Sequence, residues 1–93
     1  HVRLSVLAAE RFDPDPEIYG ITPDSRAVRE GYLFAALPGA NADGEAFIPQ
    51  AERQGAAAIL ARPGAATLLP LVADTEPRRR LSQMAARFYP GQP

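Results

Sequence analysis

Apolar positions fall in short runs along this chain, and polar, turn-forming clusters separate them. Val2, Leu4, Val6, Leu7 and Ala8 are too mixed for a single period and predict a short helix through Ser5 to Ala9. The following FDPDPE, from Phe12 to Glu17, alternates Asp and Pro, which blocks regular pairing and predicts a surface connection. Ile18 to Thr22 is expected as a short strand with Pro23 at its end or edge. Tyr32 to Leu37, YLFAAL, has the density of a buried strand, entered through a turn at Gly31 and closed by Pro38-Gly39. A helix is expected from a cap at Asp43 or Gly44 to about Gln54, with Pro49 in its first turn. Phe47, Ile48 and Ala51 would share its inner face, and Gly55 would be the left-handed residue past its end. Ala56 to Ala61 and Leu68 to Ala73 are read as two more strands, the second at an edge or starting at Pro70. The last helix, capped by Asp74 or Thr75 with Pro77 in its first turn, places Leu81, Met84, Ala85 and Phe88 on one stripe. Its Arg78-Arg79-Arg80 triplet is read as a solvated start, and Phe34, Phe47 and Phe88 as core rings. Helices alternating with short apolar runs give an α/β class, a small mixed sheet of short strands flanked by helices.

Two polar loops, TPDSR and PGANADG, flank YLFAAL, the layout of a ligand cradle in which a strand holds position and the loops offer hydroxyl, amide and backbone N–H groups. Asp24 and Ser25 both suit a turn, because their side chains bond to nearby backbone N–H groups. Arg26 could pair with Asp24 or reach a phosphate. The start of the helix after Gly44 would also suit a phosphate.

Composition narrows the chemistry. Ninety-three residues with a formal charge of -1 make one domain without the basic excess of a nucleic-acid partner. Cysteine is absent and all ten basic residues are arginine, so thiolate metal sites, Schiff-base lysines and phosphate-loop lysines are excluded. The single histidine, His1, is set aside as a ligand. No apolar run nears the ~18 residues of a membrane span, and a soluble, cytoplasmic monomer is expected.

DSR at Asp24 to Arg26, V-x-x-G at Val28 to Gly31, LFAALPG from Leu33 to Gly39 and ADG-x-x-FI from Ala42 to Ile48 follow in order. Gln50-Ala51, GAAAIL from Gly55 to Leu60 and the ending AARFYPGQP continue the series. In these features the chain resembles the N-terminal domain of the Mur ligases, most of all the branch that adds the third amino acid of the peptidoglycan stem peptide. The branch that adds D-alanyl-D-alanine is the alternative, and outside the family a free-standing nucleotide-binding or interaction module. The resemblance implies a Mur ligase N-terminal fold over residues 1–89, holding the UDP moiety of UDP-N-acetylmuramoyl-L-alanyl-D-glutamate. Residues 90–93 would begin a linker to a central ATP-binding domain, itself followed by a C-terminal domain. ATP and Mg2+ would serve the parent ligase, with no cofactor, metal or catalytic residue in this chain. The UDP contacts it implies are Pro23, Ser25, Ala40, Asn41 and Ala42, with Arg26 as a phosphate contact. Tyr32 stands where the family usually has an aspartate, and Ala40 where relatives often have a longer polar side chain.

Overall fold

The computed structural model describes residues 1–39 and 43–89. Four strands, β3 (Gly20–Thr22), β4 (Tyr32–Ala35), β5 (Ala58–Ala61) and β6 (Leu71–Ala73), make a sheet in the order β3-β4-β5-β6, every neighbouring pair parallel. A separate antiparallel ribbon pairs β1 (Val2–Arg3) with β2 (Glu17–Ile18), Val2 opposite Ile18. The α/β class expected from the pattern is therefore present, with parallel and antiparallel pairing divided between two sheets. The run read as one strand from Ile18 to Thr22 is shared between them: Ile18 ends the ribbon and Gly20 starts the parallel sheet.

A parallel sheet is covered on both faces, and alternate residues of its central strands supply both. Leu33 and Ala35 of β4, Ala58 and Leu60 of β5 and Val72 of β6 pack with Leu4, Leu7, Ala8, Ile18 and Met84. These last residues belong largely to α1 (Leu4–Ala8) and α3 (Pro77–Phe88). On the opposite face, Phe34, Ala36, Ile59 and Ala61 pack with Val28, Ala56, and Ile48 and Ala51 of α2 (Ile48–Arg53). The stripe on α3 is as its spacing requires, with Met84 buried and Leu81 and Phe88 packed around the same cluster.

The short helix α1 is closed at both ends by groups outside it. Asp15, within the Asp-Pro connection, accepts from the Ser5 backbone N–H at 2.9 Å and the Ser5 hydroxyl at 2.7 Å, capping α1. At the other end of α1, Arg87 donates to the Leu7 carbonyl and Arg80 to that of Ala8, at 2.8 and 2.7 Å. The arginine triplet is therefore not simply solvated. Arg80 also pairs with Asp74 and Glu10, each at 2.9 Å, and Arg78 donates to the Pro38 carbonyl at 3.1 Å. Asp74 accepts from the Glu76 N–H at 2.8 Å, so Glu76, which makes no side-chain cap, stands at the N-cap of α3 in place of Asp74 or Thr75. At the end of α2, Gly55 takes φ +99°, the left-handed conformation its position demanded. None of the described helices is long and apolar enough to cross a membrane.

Candidate functional site

Two loops leave the carboxyl ends of neighbouring parallel strands and face each other across a cleft. After β3 the chain enters a 3₁₀ turn, Ser25–Ala27. Thr22 Oγ1 accepts from the Asp24 N–H at 3.0 Å, and Asp24 Oδ1 in turn accepts from the Arg26 N–H at 2.9 Å. Asp24 is thus the turn-former its residue type suggested. After β4 the chain runs through Leu37 to a second 3₁₀ turn, Gly44–Phe47, which leads directly into α2. The neck of this second loop is closed by the Gly44 N–H donating to the Leu37 carbonyl at 2.9 Å. A Cβ on Gly44 would lie 2.6 Å from the backbone N and O of Leu37, so only glycine fits the neck.

The cleft between them measures about 620 Å³ and is lined by Pro23, Asp24, Ser25, Arg26, Leu37, Gly44, Phe47 and Gln50. That volume suits a drug-sized or nucleotide-sized ligand. Pro23, Leu37 and the Phe47 ring, 40% exposed, give it apolar walls, and Ser25 and Gln50 give it hydrogen-bonding groups. Ser25 is 8% exposed; its carbonyl is held by the Gln54 side chain at 2.7 Å, and its hydroxyl makes no bond to another described residue.

Charge at the site is largely compensated. Arg26 donates to both oxygens of Asp24, at 3.2 and 3.3 Å, on an exposed surface. That pair, with the Arg26 backbone N–H, holds the Asp24 carboxyl below the ordinary aspartate value. Pairing with Asp24 is the one of the two roles open to Arg26 that the geometry shows. Asp43 caps the second turn through the Glu45 N–H at 3.0 Å, so a carboxylate already occupies a donor expected to face a phosphate. Arg62 then bridges Asp43 and Glu45 at 2.8 and 3.1 Å, tying the turn to the end of β5. Among the described residues, no group of three or more His, Asp or Glu side chains could hold a metal ion.

Of the contacts expected from the sequence, Pro23, Ser25 and Arg26 come together on one wall. Ala40, Asn41 and Ala42 lie outside the described residues. Five lining residues were not among those expected contacts: Asp24, read as a turn-former, Gly44, read as a cap, and Leu37, Phe47 and Gln50. Phe47 was assigned to the core beside Ile48 and Ala51, but it ends a 3₁₀ turn, whose three-residue period takes it off the inner face of α2. The spacing of Gln50 and Gln54 places them on one helix face, but nothing local marks either as part of the cleft. Tyr32 sits opposite Gly20 in the register, its ring where a Gly20 side chain would be. Its place is within the sheet, outside the residues that line the cleft.

Residues 17–89 match the family described as "Mur ligase family, catalytic domain". The UDP-N-acetylmuramoyl-L-alanyl-D-glutamate–2,6-diaminopimelate ligase of Streptomyces avermitilis is 49% identical over 88 residues, covering 89% of this chain and 17% of that protein. The ligase of the same name from Caulobacter vibrioides is 47% identical, over 98% of this chain and 19% of its own length. Among solved structures, UDP-N-acetylmuramoylalanyl-D-glutamyl-2,6-diaminopimelate–D-alanyl-D-alanyl ligase from Acinetobacter baumannii superposes with a TM-score of 0.67 at 26% identity, over 75% of this chain and 16% of that one. The chain therefore spans under a fifth of the length of each of these relatives. With the family matched across most of its residues and the fold shared with solved members, this chain belongs to the Mur ligase family.

Proposed function

We propose that the cleft holds the uridine diphosphate end of UDP-N-acetylmuramoyl-L-alanyl-D-glutamate, for an ATP-dependent ligase that adds the third amino acid of the stem peptide. The observation that carries this reading is the placement of the cleft. It opens at the carboxyl ends of adjacent parallel strands, between two loops, where open α/β sheets bind their ligands. Its chemistry suits the ligand. A uracil ring offers flat apolar faces and a polar edge, which Phe47, Leu37 and Pro23 and the groups of Ser25 and Gln50 complement.

The remaining chemistry belongs to other parts of the ligase. ATP and Mg2+ are assigned to the central domain of the ligase; this chain has no lysine, and so none for a phosphate loop. The chain is read as a non-catalytic, monomeric substrate grip covalently joined to the domains that activate the carboxylate and bring in the amino acid. A second reading, the grip of the ligase that adds D-alanyl-D-alanine, draws on the fold shared with the Acinetobacter enzyme. Identities of 47–49% to the diaminopimelate ligases against 26% to that enzyme favour the first.

An NMR amide titration with UDP-N-acetylmuramic acid, with ATP as control, tests the grip. Shifts confined to Asp24–Val28, Leu37 and Gly44–Gln50 are expected with the UDP-sugar alone, and Ser25→Ala should then weaken binding by roughly threefold to tenfold, one neutral hydrogen bond. Equal shifts with ATP, or none at millimolar UDP-sugar, would remove the assignment.

A further inference from the structure

Behind the cleft, two glutamines link its walls. Gln54, at the end of α2, donates through Nε2 to the Ser25 carbonyl at 2.7 Å and to the Val28 carbonyl at 3.1 Å. Those residues are 29 and 26 positions earlier in the chain, on the loop after β3. Both acceptors are carbonyls, which cannot donate, so the nitrogen end of the Gln54 amide must face them. Its oxygen is then turned the other way, and there it accepts from Gln50 Nε2 at 3.1 Å. Gln50 must therefore spend a donor inward. Its own amide oxygen is left as an acceptor on a side chain that lines the cleft.

We infer that Gln54 is a positioning residue of the ligand site: it fixes the Ser25 turn on α2 and, through Gln50, orients an acceptor at the opposite wall. The inference rests on the reading of the cleft as the nucleotide grip. Without Gln54 the 3₁₀ turn keeps its bonds to Thr22 and Asp24 but loses its hydrogen bonds from α2, leaving only the packing of Val28 to tie the two walls. The Ser25 hydroxyl would then no longer be set at a fixed height against Phe47 and Gln50. The clamp spans the two elements that a ligand must touch together, so its loss would fall on binding before it falls on folding. The core beneath it, Val28, Ile48, Ala51 and Ala56, remains apolar and packed.

Two substitutions separate this from a packing role. Gln54→Met keeps the length of the side chain and removes both donors; Gln54→Lys restores N–H donors at the cost of shape. In the unliganded chain, Gln54→Met should move the Ser25, Arg26, Ala27 and Val28 amide resonances and leave those of β5 in place. Its affinity for UDP-N-acetylmuramic acid should fall about threefold to tenfold, the loss expected of one or two hydrogen bonds. Gln54→Lys should recover both readouts in part. Wild-type affinity in Gln54→Met, or a Gln54→Lys variant weaker than Gln54→Met, would overturn the inference while leaving the nucleotide grip intact. Failure of the unaltered chain to take up the UDP-sugar would instead overturn the underlying reading, and the inference with it.

Discussion

Gly44 stands where no side chain can go. The backbone of Leu37 lies 2.6 Å from the position of its Cβ, and the same contact carries the hydrogen bond that closes the loop. Gly44→Ala must push two backbone segments apart, because neither neighbour is a side chain that could swing away. Overpacking of this kind costs about 1–3 kcal/mol, to be read as a lower midpoint in urea unfolding, with the loop resonances moving most. Residue identities made part of this legible beforehand. Gly31 and Gly55 were recognisable as turn residues and take φ +85° and +99°, and Asp24 was recognisable as a turn-former. Gln54 was not, because its meaning lies in carbonyls 26 and 29 residues away, which no local pattern reports. Phe47 was misplaced for a different reason: its apolarity said core, and only the change from 3₁₀ to α winding at Ile48 turns it to the cleft.

At the scale of elements, α1 shows how little a short helix contributes alone. Five residues cannot sustain a helix in water, and α1 persists because each end is satisfied by a distant group. Asp15 supplies the acceptor at its start, and Arg80 and Arg87 of α3 supply the donors at its end. Arg80 is the busiest of these, with 15% of its side chain exposed and bonds to Asp74, Glu10 and the Ala8 carbonyl. Arg80→Ala should therefore cost about 1.5–3 kcal/mol, the range for a charge-assisted hydrogen bond lost beside partly buried partners. Arg79→Ala, which removes the exposed neighbour in the same triplet, is the control expected to change stability little. Equal melting temperatures for the two would show that Arg80 is no more than surface charge. The pattern along the sequence did place the four parallel strands and the three helices, since each carries an apolar run or stripe. It did not place the β1–β2 ribbon, because two-residue strands have no periodicity to read. The caps of α1 were equally hidden, being 10 and about 70–80 residues away.

For the molecule as a whole, the same carboxylates set how the fold responds to acid. Asp15 is held below the ordinary aspartate value of 3.8 by the Ser5 hydroxyl and then the Ser5 N–H. Asp74 is held down by the Glu76 N–H and then Arg80, and Asp24 by the Arg26 side chain and N–H. A carboxylate whose folded pKa lies below its unfolded one binds fewer protons in the folded state. What it contributes to stability is complete above 3.8 and is withdrawn as the pH falls through that value towards the lower folded ones. Two of the three join elements that are distant in sequence: Asp15 ties the Asp-Pro connection to α1, and Asp74, through Arg80, ties the start of α3 to the end of α1. Protonation should therefore loosen the α1–α3 layer first. Asp24 stabilises only its own turn, so its protonation should be felt in the cleft. Urea midpoints measured from pH 7 down to pH 2.5 should stay level until about pH 4 and then decline. In an Asp15→Asn, Asp74→Asn chain the plateau should be lower at pH 7 and the acid decline shallower, because the groups that titrate are gone. A decline as steep as in the unaltered chain would assign acid sensitivity to other carboxylates. An Asp24→Asn chain should also decline less steeply, by the share of that one carboxylate, with its amide shifts confined to the turn beside the cleft.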